Sequence, residues 1–160
     1  MLHKVICPHC GEPYSCYLNP TPTADVIIYD QNLGVVIISR VNEPRGYALP
    51  GGFIDYGEMA EEAAKREMLE ETGLDVDLIG LLGVYSHPKR DPRQHTLTTV
   101  FVGKAKDVTK LKAGDDAKGA AFYKLDQLPS PIVFDHAKVL ADFTSWVRGE
   151  RSLAAIQESD

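Results

Sequence analysis

Three carboxylates in one short stretch define the chemistry available to this chain. In Arg66-Glu67-Met68-Leu69-Glu70-Glu71-Thr72-Gly73-Leu74 the acids stand at i, i+3 and i+4, which on a helix makes them neighbours on one surface. Oxygen-only ligands select a hard ion, and Mg2+ in particular keeps several waters and is held by one or two carboxylates together with substrate phosphates. The expected ligand is therefore phosphorylated. With about 100° per residue and Ala60 as origin, Glu67, Glu70 and Glu71 fall within roughly 80° of it, as do Ala63, Ala64 and Met68. A solvated face would turn the acids away from the small apolar residues, whereas these extend the core-facing stripe. They also stand at the helix end whose dipole disfavours anions, so partly buried charges there call for a cation. Leu69 falls on the far side of the wheel, beside Lys65 and Glu62, and reads as packing under a loop.

The elements that must hold these acids are legible around them. Glu58 to Thr72 reads as a helix, with glutamates near its positive end, alanines in the middle and Gly73 as a left-handed C-cap. Ahead of it, Gly51-Gly52 leaves a backbone that other groups can approach closely. Ala24 to Tyr29 and Val35 to Ser39 are β-branched runs joined by Asp30-Gln31-Asn32-Leu33-Gly34, which predicts a hairpin buried on both faces. Further strands are expected at Leu78 to Tyr85, Thr96 to Ala105 and Ala120 to Leu125. A second amphipathic helix is expected from about Asp135 to Arg148, with a tail after Gly149 that frays. Strands flanking one helix, with another at the end, predict an α/β sandwich with a mixed sheet between helices.

The chain has 160 residues and a formal net charge of -6, about one domain long and too acidic to work by coating a nucleic acid polymer. No stretch approaches the ~20 apolar residues of a membrane span, and the N-terminus lacks a signal-peptide run, so the expected location is the cytoplasm. Residues 1–22 differ in texture and read as a small appendage carrying all three cysteines; residues 23–149 read as the main domain and 150–160 as the tail.

The stretch Gly52 to Leu74 resembles the Nudix box: Gly, five residues, Glu, seven residues, Arg-Glu, an aliphatic, any residue, Glu-Glu, any residue, Gly and an aliphatic. Gly52, Glu58, Arg66, Glu67, Met68, Glu70, Glu71, Gly73 and Leu74 fill its slots. The resemblance implies a Nudix fold, an α/β/α sandwich, and hydrolysis of a nucleoside diphosphate linked to another group. It further implies Glu67, Glu70 and Glu71 as ligands of Mg2+ or Mn2+, the Gly51 carbonyl as a further donor, Arg66 as an orienting group and Glu58 as support. A homodimer is expected, since family members commonly pair.

The loop Tyr85 to His95 gathers Arg90, Arg93 and His95 in an acidic chain, which suits phosphate or ribose recognition. With Arg40 and Tyr47 these are the candidate substrate contacts. The loop is similar to that of Nudix ADP-ribose pyrophosphatases, as are Ala48 to Phe53, Asp115-Asp116-Ala117 and Phe134-Asp135-His136. The implied reaction is ADP-ribose to AMP and ribose 5-phosphate. An NADH or other dinucleotide pyrophosphatase, and a non-catalytic ADP-ribose sensor, are the alternatives. The resemblance also implies a further acid from a loop before a late strand, acting as base or extra ligand, for which Asp116 is the candidate, with Asp115 beside it and Asp91 as the outsider. Cys7-Pro8-His9-Cys10-Gly11 has the form of one zinc knuckle, whereas a closed site needs four ligands. Its layout resembles the zinc ribbon of NADH pyrophosphatases with half the paired ligands absent. Free thiols, a site built from Cys7, Cys10 and Cys16 plus a histidine, and a site shared between subunits all stay open.

Overall fold

A computed structural model describes residues 2–114 and 117–156. In chain order the elements are β1 (Leu2–Ile6), β2 (Pro13–Tyr17), β3 (Thr21–Asp30), β4 (Gly34–Arg40), β5 (Tyr47–Ala48), β6 (Gly51–Phe53), α1 (Ala60–Thr72), β7 (Val76–Tyr85), β8 (Thr96–Ala105), β9 (Ala117–Tyr123) and α2 (His136–Val147).

The fold is built on the parity of β3. Successive strand residues point to opposite faces, and here both faces are covered. Ala24, Val26 and Ile28 join Ala63, Ala64 and Met68 of α1 in one core, while Ile27 joins Val139, Leu140 and Phe143 of α2 in another. The same alternation runs along β8, with Phe101 on the α1 side and Val100 and Val102 on the α2 side. This is the expected helix–sheet–helix sandwich. The sheet runs β5-β4-β3-β8-β7, with β6 added to β3 and β9 to β4. Its central pair, β3 with β8, is parallel, and the other pairs are antiparallel, so the sheet is mixed.

The predicted hairpin survives only at its tip. β3 and β4 pair at Tyr29 with Val35 and Asp30 with Gly34. Beyond that β4 takes β9 and β5 as partners, and β3 takes β8 and β6. Alternating apolar runs say that both strands are buried without saying which strand lies alongside. Helix α1 begins at Ala60 rather than Glu58, because Glu58 is used before the helix, accepting the Asp55 amide at 3.0 Å. Its end is as predicted: Gly73 has φ 66° and its amide reaches the Leu69 carbonyl.

Residues 150–156 of the tail are docked rather than frayed. Leu81 and Ala154 exchange amide–carbonyl bonds of 2.8 and 2.9 Å, Arg151 reaches Asp142 at 3.3 Å, and Leu153 and Ile156 pack on the two cores. Thr21 and Pro22, expected in the appendage, already belong to β3. The appendage itself is a separate ribbon of β1 and β2, whose register sets Cys16 opposite His3. That leaves Cys16 four ladder positions from Cys7, roughly 13 Å along the strand, so Cys7, Cys10 and Cys16 do not gather around one ion. All three are free thiols.

Candidate active site

The stripe on α1 carries two of its three acids inward. Ala63, Ala64 and Met68 are fully buried; the Glu67 side chain is 15 % exposed, while that of Glu70 is 59 % exposed. Leu69 lies in solvent at 58 %, not under a loop, because the segment that reaches this helix end bonds its carbonyls: the Lys112 amide to Thr72 and the Gly114 amide to Glu71, at 3.0 and 2.8 Å.

Arg66 organises the acids. Its guanidinium grips Glu58 twice, at 2.8 and 2.9 Å, and donates to Glu67 at 2.7 Å, to Glu70 at 3.3 Å and to the Phe53 carbonyl at 3.0 Å. Glu71 accepts the Gly51 amide at 2.9 Å. Burial pushes the Glu71 carboxyl up to about 7 and raises that of Glu67 in spite of Arg66. The diglycine lets this happen. A Cβ at Gly52 would overlap the Glu67 carboxylate, and one at Gly51 would overlap Asp25 and the Ala24 carbonyl.

Among the described residues no three His, Cys, Asp or Glu side chains are arranged around a common ion position; the glutamates are engaged with Arg66 and with Gly51. The donor set nonetheless fits a hard divalent cation. It is oxygen-only, two of its carboxylates hold protons more tightly than free acids because they are buried, and it stands at a helix C-terminus.

Two cavities adjoin here and share Arg40, Gly51, Gly52, Phe53 and Arg93. One is bounded by Arg66, Glu67 and Glu71. The other has a floor of Asp25, Arg90 and His136 and a wall at Phe134. Arg90 is buried, donates to Asp135 at 2.8 and 3.2 Å and to Thr96 at 2.8 Å, and stands 3.8 Å from Asp25. Thr98 donates to Asp25 at 2.6 Å. Burial pushes the Asp25 carboxyl up to about 6. His136 accepts the Leu49 amide through Nδ1 at 3.0 Å, which leaves its proton on Nε2, 3.7 Å from Asp25. Burial, and then the Arg90 charge, push this imidazole down to about 3.

A pH test follows. Between about 3 and 6.5 the unfolded chain binds a proton at His136 that the folded chain does not, so this residue's contribution to stability is lost as pH falls below 6.5. Asp25 has the opposite slope, since its raised carboxyl holds a proton more tightly in the fold; that slope is common to wild type and a His136 variant. His136→Gln, which keeps an acceptor for Leu49, should therefore gain about 2 kcal/mol on wild type between pH 7 and pH 5. Urea unfolding at the two pH values measures it, and an unchanged difference would refute the neutral buried imidazole.

Of the predicted substrate contacts, Arg40 and Arg93 line both cavities. Arg90 sits in the floor, committed to Asp135 rather than displayed on a loop. Tyr47 packs into the α2-side core and lines neither cavity, its amide and carbonyl holding Pro131 and Val133 at 2.9 Å each. His95 turns to the Ser86 carbonyl at 3.0 Å and is exposed, so it is not brought to the site. Asp115 and Asp116 lie outside the described residues. Asp91 is buried and clasped by Arg93 at 2.8 and 3.0 Å. Asp25, Phe134 and His136 were missed as site residues. Asp25 did carry a signal, as the one charge inside Ala24-Asp25-Val26-Ile27-Ile28.

The NUDIX domain family model matches residues 19–143. An ADP-ribose pyrophosphatase of Methanocaldococcus jannaschii is 46 % identical over 150 residues, covering 91 % of this chain and 86 % of its own. A putative 8-oxo-dGTP diphosphatase of Bacillus subtilis is 34 % identical over 77 % of this chain and 79 % of its own. The crystal structure of a NUDIX hydrolase from Nitrosomonas europaea superposes with a TM-score of 0.76 at 24 % identity, covering 99 % of this chain and 94 % of that one. The box on α1, the sandwich that presents it and these matches have one reading: the chain belongs to the Nudix family.

Proposed function

We propose that this chain is a Mg2+- or Mn2+-dependent hydrolase that cleaves ADP-ribose to AMP and ribose 5-phosphate. The observation that carries the reading is the cavity pair: the buried acids of α1 open directly onto a second pocket through a shared wall holding Arg40 and Arg93. A diphosphate placed there has cations on one side and the acids on the other. The resemblance to the Methanocaldococcus enzyme supports the choice of ADP-ribose.

Glu67, Glu70 and Glu71, with the Gly51 carbonyl, would hold the metal, which supplies charge neutralisation on the leaving phosphate and a lower pKa for the attacking water. Arg66 keeps Glu67 and Glu70 aimed by fixing both from one guanidinium. Arg40 and Arg93 bind the diphosphate. Asp25 and the His136 Nε2–H, at the floor, suit the hydroxyl or amine groups of the nucleoside. Asp116 is the proposed base. The enzyme is proposed to be a cytoplasmic homodimer, in keeping with its free thiols and with the exposed Leu2, Ile6, Tyr14 and Tyr17 of the N-terminal ribbon.

A substrate panel with Mg2+ tests this. AMP is expected from ADP-ribose at least tenfold faster than from NADH, and faster than 8-oxo-dGTP is hydrolysed. A preference for either competitor would overturn the substrate. No turnover of any nucleotide, with tight ADP-ribose binding retained, would overturn the enzyme reading.

A further inference from the structure

Phe134 stands where two of the cavity's cations meet. The Arg40 and Arg93 guanidinium carbons lie 5.0 and 5.3 Å from its ring centroid, within the range in which a cation is attracted to an aromatic face. Each arginine is also held elsewhere: Arg40 donates through Nε to the Pro44 carbonyl at 3.1 Å, and Arg93 grips Asp91. The ring itself is fixed from behind, packed on the small core of Ile38 and Ala48.

The backbone marks the same residue. Phe134 has φ 58°, and among the described residues it is the non-glycine with positive φ. Such a conformation is strained and persists only where its surroundings over-determine it. Here the flanking contacts do so, since Val133 bonds Tyr47, Asp135 holds Arg90 and His136 takes the Leu49 amide. Phe134 and His136 thereby line the cavity, while Asp135 between them holds Arg90 of its floor.

We infer that Phe134 is a positioning residue, whose ring holds Arg40 and Arg93 in the geometry that binds the substrate diphosphate. It does not touch the reacting atoms. The role rests on the diphosphate-binding reading above, and ADP, which carries the diphosphate but need not be cleaved, separates the two.

The experiment measures ADP affinity by calorimetry with Mg2+, and ADP-ribose kinetics, for wild type, Phe134→Leu, Phe134→Met, Phe134→Tyr, Arg40→Met and the Phe134→Leu/Arg40→Met double variant. Leu and Met keep apolar bulk but lack a π face, and should weaken ADP about tenfold and raise KM similarly, with kcat within about threefold. Such a split is what loss of uniform binding gives. Tyr should restore both to within about threefold. The double variant should be at least threefold tighter than the product of the single effects. Unaltered ADP affinity in Leu and Met, fully additive effects, or failure of Tyr to rescue would each overturn the assignment. Absence of ADP-ribose turnover in the wild type, with the ADP cycle as expected, would overturn the substrate reading alone.

Discussion

Glu71→Gln is expected to lower kcat by about a thousandfold or more while leaving a folded protein. The carboxylate is mostly buried and accepts the Gly51 amide, an interaction that a glutamine oxygen preserves at the same length. What disappears is the negative charge, in a place where burial already disfavours it. Folding therefore loses little, and the metal-free variant should unfold at or above the wild-type temperature. A metal ligand stabilising transition-state charge is worth several kcal/mol, and each 1.36 kcal/mol is tenfold in rate, which sets the size of the loss. Steady-state kinetics with saturating Mg2+ beside a thermal melt would decide it. Near-normal kcat would refute the ligand assignment, and a collapsed melt would show that the acid's role is to hold β6 against the helix.

The diglycine separates fold from function. At Gly51, φ is 154°, and an added methyl would meet the Ala24 carbonyl and lie 2.6 Å from the Asp25 Cα. Those are atoms of the central strand, which cannot yield, so Gly51→Ala should cost about 3 kcal/mol or more through overpacking and backbone strain and express poorly. At Gly52 the methyl meets the end of the Glu67 side chain, which can swing aside. Gly52→Ala should melt within a few degrees of wild type yet lose most activity, because the displaced carboxylate leaves the Arg66 grip. Equal melting temperatures for the two variants, or equal activities, would contradict this division.

What could be read from the chain beforehand divides by range of contact. Helix α1, its glycine stop and the inward turn of two of its three acids were readable because spacing within nine residues determines them, whereas Glu70 is exposed. The buried character of β3 was readable too, but its partners were not, since alternation specifies two covered faces and not the neighbouring strand. The loop cations show the limit most clearly. Arg90, Arg93 and His95 look equivalent in sequence, yet Asp135, 45 positions on, draws Arg90 into the floor, Arg93 stays at the cavity, and His95 turns to Ser86. The docked tail was missed for the same reason: its bond to Leu81 is long-range, and the intervening residues do not announce it.

The parallel pairing of β3 with β8 also governs how the site comes into being. Residues 21–28 must find residues 96–103, a long loop to close before any reward, and such non-local pairings slow folding. Much of the site leans on that pair: β6 with its diglycine hydrogen-bonds to β3, α1 packs on it, and Thr98, holding Asp25, comes from β8. A chain emerging from the ribosome would carry its whole Nudix box long before it carried a floor for the pocket. Activity therefore has no half-built precursor; it appears only when the late strand closes the sheet.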